Sequence, residues 1–223
     1  MKKNLLNVTR MKRETNRTGS SQEDRKNSEA MTNKVYRESI SAEEIKELEL
    51  SWFGGEIVVV DNFQIFNSVL PRLINSEVLG FDTETKPSFK KGRNNKVSLI
   101  QLADKDIACL FRINKIGIPD KLADILSNPK IIKCGVAIHD DIRVLSGIRK
   151  FSPAGFIDLQ AFVKSYGIES SGLKKLAAII LGFRISKRQQ VTDWEAEKLS
   201  EAQQIYAATD AWVCHMIYNR LIE

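Results

Sequence analysis

Cysteine is scarce in this sequence and badly placed for metal or disulfide chemistry. Cys109, Cys134 and Cys214 are its three cysteines. They are an odd number, far apart, and lie in apolar stretches without paired metal-ligand spacing. That excludes a disulfide framework and a cysteine zinc site, and leaves buried free thiols in a reducing compartment. Long apolar runs are missing too. The best candidate, Leu176 to Phe183, is interrupted by Gly182 and falls far short of the roughly 20 residues a membrane span needs. Behind Lys2 and Lys3 stand only Leu5, Leu6 and Val8, which is no signal-peptide core. These absences together read as a cytoplasmic protein with no membrane partner. No internal repeat is visible. A strong excess of one charge is absent where it would matter. Of the net +6, residues 1–30 hold eight Lys/Arg against four Asp/Glu, or +4, leaving +2 for the rest. A body that binds a polyanion must then use local patches or metal ions.

What is present is an ordinary globular composition, 43% hydrophobic over 223 residues, enough for one domain with a substantial core. The polar, basic start reads as a disordered tail over residues 1–40, with Met31 a second candidate for the translation start, and the folded domain as 41–223. Ser41 and Glu44 have capping-box spacing, as do Ser200 and Gln203 before a final helix. Strands are expected at Glu56–Val60, Val78–Asp82, Val97–Leu102, Ile107–Phe111, Lys130–Cys134 and near Phe156. Residues 86–95 read as a loop. Helices are expected after Asn62, from Asp120, from Ile138, over Leu159–Tyr166 and over Gly172–Leu181. Early hairpin strands followed by strand–helix alternation give an α/β fold, a mixed β-sheet flanked by α-helices.

Carboxylates carry the chemistry. The strand at Val78 runs into Asp82 and Glu84, which point to one face because side chains on a strand alternate. Two acids side by side at the end of an apolar strand are costly without a compensating cation, and oxygen ligands suit Mg²⁺ and Mn²⁺. A solvated turn is an equal reading of that stretch alone. Asp141 shares a helix face with Ile138, Ile142 and Leu145, whereas Asp140 and Arg143 fall on the polar side. Asp210 is likewise a charge in the apolar stripe of the last helix, with Tyr206 one turn away.

These residues stand in three segments: Phe-Asp82-Thr-Glu84-Thr, then Cys-Gly-Val-Ala-Ile-His-Asp-Asp141, then Tyr206-Ala-Ala-Thr-Asp210-Ala. In this order, and with the YxxxD spacing, the chain resembles the tyrosine-bearing (DEDDy) branch of the DEDD superfamily of 3′–5′ exonucleases. Val97–Leu102 and Lys187–Trp194 are similar to the ribonuclease D and Werner-syndrome exonuclease groups. The second segment departs from the pattern, with Ala137 and His139-Asp140 where relatives often carry glycine, so Asp140 rivals Asp141; the helical face favours Asp141. The resemblance implies a ribonuclease H-like fold and hydrolysis of phosphodiester bonds at single-stranded or recessed 3′ ends of DNA or RNA. It implies two divalent cations, Mg²⁺ or Mn²⁺, held by Asp82, Glu84, Asp141 and Asp210. Asp82 would bridge the ions, Glu84 and Asp210 would complete one site, and Asp141 would reach the second through water. The Tyr206 hydroxyl would orient the attacking water. Thr85, Lys187 with Arg188, and Trp194 are the candidates for substrate contact, Trp194 either stacking on a base or packing on the last helix. Ile205 stands where the sister branch carries histidine. His139 and His215 are read as a helix-start and a structural residue. The alternative function is a catalytically inactive nucleic-acid-binding module of the same fold.

Overall fold

The structure is a computed structural model and describes residues 36–86 and 97–223. Among the described residues the first helix, α1 (Ala42–Glu47), has the expected capping box, with Ser41 accepting from the Glu44 amide and the Glu44 side chain accepting from the Ser41 amide. Six strands follow in one sheet: β1 (Glu56–Val60), β2 (Val78–Thr85), β3 (Val97–Ala103), β4 (Ile107–Arg112), β5 (Ile132–Gly135) and β6 (Phe156–Asp158). Their order is β1-β4-β3-β2-β5-β6. β2, β3 and β4 form an antiparallel meander, while β1 joins β4, and β5 and β6 extend from β2, in parallel. This is the mixed, helix-flanked sheet that the alternation of periods requires.

One face of the sheet is covered by α2 (Phe63–Ile74), α4 (Asp120–Ser127) and α5 (His139–Ile148). Phe66, Leu73, Leu122 and Leu145 meet Leu79, Phe81 and Phe111 there. A short helix, α3 (Ile113–Ile116), lies between β4 and α4; its four residues give too little periodicity to be read from sequence. The other face is dominated by α8 (Glu201–Ile222), which packs chiefly on β2. In the chain, α6 (Leu159–Phe162) and then α7 (Leu173–Leu176), which continues as a π-turn to Leu181, come between β6 and α8.

The contact between α8 and β2 is unusually close because small residues line it. Ala207, Ala208 and Ala211 are fully buried, and a Cβ added to Gly80 would lie 1.8 Å from the Ala211 carbonyl oxygen. Glycine is therefore required at position 80 by proximity rather than by backbone angle.

Two expectations need adjustment. β2 continues to Thr85 instead of ending at Asp82, since Asp82 pairs with Gln101 and Glu84 with Leu99 on β3; both acids sit within the sheet. The tail was expected to run to residue 40. Its last five residues pack on the domain instead: Ile40 is buried, the Glu38 carbonyl accepts from the Glu169 amide at 2.9 Å, and Tyr36 meets Tyr166 edge to face at 6.3 Å. An apolar Tyr36 and Ile40 had partners that lie far along the chain. Residues 1–35, with the rest of the tail and Met31, and 87–96, with most of the anticipated loop, are outside the described residues.

Candidate active site

Alternation along β2 sends Leu79 and Phe81 into the core beneath α2 and α5, and Gly80, Asp82 and Glu84 toward α8. The close approach at Gly80 then brings Asp210, on the inner stripe of α8, over the two acids. Carboxylate oxygens of Asp82, Glu84 and Asp210 all lie within 4.8 Å of one another. Glu84 and Asp210 are 8% exposed, so water does little to screen them. The result is large and of one sign. Burial, then the charges of Asp82, Asp210 and Asp141, push Glu84 up to about 10. Burial raises Asp210 to about 7 against the opposing pull of a Tyr206 hydrogen bond and the Lys187 charge. Asp82 is raised well above the carboxylate range by burial and by Asp210. Like charges at this spacing cannot all ionise without a cation.

Asp141 joins from the other side. It stands in the first turn of α5 and accepts a hydrogen bond from the Thr83 hydroxyl at 2.6 Å, Thr83 being the residue between the two strand acids. Its carboxyl is raised by burial, with Thr83 acting against the shift. The expected quartet is therefore three carboxylates within 4.8 Å of one another and one, Asp141, outside that cluster. Asp140, its rival, is exposed and paired with Arg143 at 3.1 Å, as the helical face required. At the mouth of α5, Ala137 adopts a positive φ of 59°, a conformation glycine takes without strain.

Tyr206 is 7% exposed, and its hydroxyl pulls the Asp210 carboxyl down against the effect of burial. Burial and the neighbouring acids hold its hydroxyl above the ordinary phenol value, so it stays protonated and acts as a donor. Lys187 and Gln190 line a cleft of about 120 Å³ with Asp82, Tyr206 and Asp210. The structure thus brings Lys187 to the acids. Thr85 is exposed at the end of β2, just past a break in register between Glu84 and Thr85. Arg188 lines a different cavity.

Of the two readings of Trp194, packing on the last helix holds and substrate contact by base stacking is corrected. The residue is fully buried, with its ring 6.0 Å from that of Tyr206, and offers no face to a nucleobase. The loop that carries it is pinned from below: the Arg112 guanidinium donates to the Ala196 carbonyl at 2.6 Å, Gln203 donates to Thr192 and to the Asp193 carbonyl, each at 3.1 Å, and Lys86 pairs with Asp193 and Glu195 at 3.4 and 3.3 Å. Trp194 packs with Tyr206, Ala207 and Leu110 in the core between α8 and the sheet. His215 is buried, as a structural residue should be, with its ring against Asn219.

Sequence reasoning passed over Thr83, Gln190 and Gln101. Gln101 sits opposite Asp82, fully buried, with neither side-chain amide atom hydrogen-bonded. Its signal was present: an amide in the middle of an apolar strand, on the face shared with the acids.

The donor set fits a hard divalent cation. The converging atoms are all carboxylate oxygens, the ligands such ions prefer, and their proton affinity is raised first by burial and, at Asp82 and Glu84, by the neighbouring carboxylates. Asp82, Glu84 and Asp210 would hold such an ion, with Asp141 beside them.

Comparison with known proteins agrees with this geometry. Residues 57–223 match a family model described as a 3′–5′ exonuclease. The mouse bifunctional 3′–5′ exonuclease/ATP-dependent helicase WRN is 33% identical over 162 residues, covering 67% of this chain and 11% of that protein. Among solved structures, the Escherichia coli RNase D matches with a TM-score of 0.68 at 26% identity, over 75% of this chain and 44% of that one. The Aedes aegypti Nibbler EXO domain shares the fold, with a TM-score of 0.69 at 24% identity, over 77% of this chain and 90% of that one. The chain spans less than half the length of the curated relatives it matches.

Proposed function

From the premise that this chain belongs to the 3′–5′ exonuclease family, in a ribonuclease H-like fold, we propose that it is an active, metal-dependent 3′–5′ exonuclease of the tyrosine-bearing branch. Its substrates are single-stranded or recessed 3′ ends of DNA or RNA, and its products nucleoside monophosphates. The observation that carries the reading is the convergence of Asp82, Glu84 and Asp210 within 4.8 Å, one turn of helix from a protonated tyrosine. A non-catalytic binding module has no use for three mutually repelling buried acids, which cost stability unless they serve a cation.

Asp82, Glu84 and Asp210 would hold one divalent ion, Mg²⁺ or Mn²⁺, and Asp82 with Asp141 a second. Such ions, when bound, lower the pKa of water and stabilise the leaving oxygen of an in-line displacement. The chain's own residues do the rest. Tyr206 is kept protonated by its acidic surroundings and has one hydroxyl proton to give; with a cation on Asp210 it would turn from that carboxylate to the nucleophile and orient it, without taking up its proton. Thr83 fixes the Asp141 carboxylate. Lys187, whose charge already acts on Asp210, offers a cation to the substrate phosphate, and Thr85 a hydroxyl at the cleft's edge. The buried wall of Trp194 holds Tyr206 in place. Three buried free thiols suit a reducing compartment, and we assign the protein to the cytoplasm on that ground. Among the described residues no helix is long and apolar enough to cross a membrane.

The test is product identification. Oligodeoxynucleotides and oligoribonucleotides incubated with the protein and Mg²⁺ or Mn²⁺ should release nucleoside monophosphates singly from the 3′ end, as read by mass spectrometry. Release of oligonucleotide fragments, or none from either polymer, would refute the assignment.

A further inference from the structure

A second cavity, of about 300 Å³, opens on the outer side of Tyr206. We propose that it is a nucleobase subsite, which takes an unpaired base of the strand being degraded, stacked on Trp52 with Arg188 at its phosphate. This inference rests on the exonuclease reading and adds a second anchor point for its substrate.

Its placement comes from the two stripes of α8. Tyr206, Asp210 and Cys214 line the acid cleft, whereas Ala202, Ile205, Tyr206 and Thr209 line this cavity. Tyr206 is the shared wall. The loop after β-bridge residue Arg184 divides in the same way: Lys187 and Gln190 face the cleft, and Ser186, Arg188 and Gln189 face the cavity. A strand whose end lies at Asp82 and Asp210 has its neighbouring nucleotide within reach of the second wall of Tyr206.

The lining matches a nucleotide. Trp52, the one tryptophan among the large exposed apolar side chains, is 57% exposed, and Leu50 beside it is 42% exposed. An indole left open to water in a cavity that shares its Tyr206 wall with the acid cleft offers a π-face that any base can use. Among the described residues Arg188 is the sole charged one lining the cavity, and no carboxylate lines it. The volume stands at the lower bound of roughly 300–1,000 Å³ for small-molecule sites. The walls are fixed in advance. The Ser51 amide donates to the Arg184 carbonyl at 2.9 Å, the Phe53 amide to the Thr209 hydroxyl at 3.0 Å, and the Arg188 amide to the Ser186 hydroxyl at 3.2 Å. Preorganised walls cost little ordering on binding.

Two measurements test this on the full chain. A single-stranded dodecamer ending in a 3′ phosphorothioate, in EDTA, should quench tryptophan fluorescence, and most of that quench should vanish in Trp52→Ala, because Trp194 is buried and Trp212 is half-buried between Phe53 and Phe183. In turnover with Mg²⁺, Trp52→Ala should raise KM roughly tenfold with kcat within about twofold, Trp52→Phe should restore KM, and Arg188→Gln should raise KM with a shallower salt dependence. Unchanged quench and KM in Trp52→Ala, with the wild type active, would overturn the subsite and leave the exonuclease reading intact. Quenching that depends on Trp52 in a wild type that cuts nothing would do the reverse. A change in sedimentation with KM unaltered would make this face a contact between copies and overturn the proposal.

Discussion

Glu84 shows at the scale of one residue what the acid cluster costs. The folded protein keeps a proton on Glu84 up to about pH 10, whereas the ordinary value is 4.5. The unfolded chain releases that proton far earlier, so the metal-free fold is favoured at low pH and loses stability as pH rises from about 4.5 toward about 10. Glu84→Gln removes the titration. In EDTA its Tm should exceed that of the wild type at about pH 8 and vary less with pH, each unit of relieved shift being worth about 1.4 kcal/mol. The same variant should lose most of the stabilisation that Mg²⁺ gives the wild type. Thermal melts across pH check both, and a Glu84→Gln protein that melts below the wild type in EDTA would contradict the account. At this scale the sequence was informative where an acid stood in the apolar stripe of a helix: Asp141 and Asp210 were found in that way. Trp194 was not placed, because a tryptophan in a polar loop looks the same whether it faces a base or a core. Arg112 and Lys133 were also illegible. The Lys133 amine is buried against the carbonyls of Ile125, Asn128 and Ile131, partners that only the fold assembles, and desolvation lowers it to about 8.

Among the elements, the pairing of β2 with α8 decides whether there is a site at all. β2 supplies Asp82 and Glu84, α8 supplies Asp210 and Tyr206, and Gly80 lets the two touch. Gly80→Ala would drive a methyl group into the Ala211 backbone, which cannot yield as a side chain does. It should cost on the order of 1–3 kcal/mol of stability. Activity should fall by more than that loss of folded protein explains, because α8 must shift and carry Asp210 away from Asp82. Denaturant melts with kcat on the folded fraction separate the two effects; loss of stability with kcat intact would show that the contact is only structural. Both capping boxes and most of the strands were legible, since their signals are local: Ser41 with Glu44, Ser200 with Gln203, and apolar runs of strand length. The extension of β2 to Thr85 was not, because it depends on pairing with β3, and Thr83, the partner of Asp141, went unnoticed for the same reason. The break of α7 into a π-turn had no local cue in an apolar run.

At the scale of the whole molecule, the sheet collects groups distant in sequence: residues 82 and 84 on its central strand, 141 on one flank, and 206 and 210 on the other. The segment 36–53 and the pinned loop at 184–196 close the outer wall, where Leu50 bridges to Arg184 and Phe53 and Phe183 pack on Trp212. Function concentrates where these layers meet. The most direct measurement is digestion of a 5′-labelled single strand by the full chain, beside Asp82→Asn, with Mg²⁺ and with EDTA. The wild type should give a ladder shortened one nucleotide at a time from the 3′ end, stopped by EDTA and slowed by at least on the order of 10²–10³-fold in Asp82→Asn. Digestion that continues in EDTA, or in Asp82→Asn at the wild-type rate, would contradict a metal-dependent centre built on Asp82.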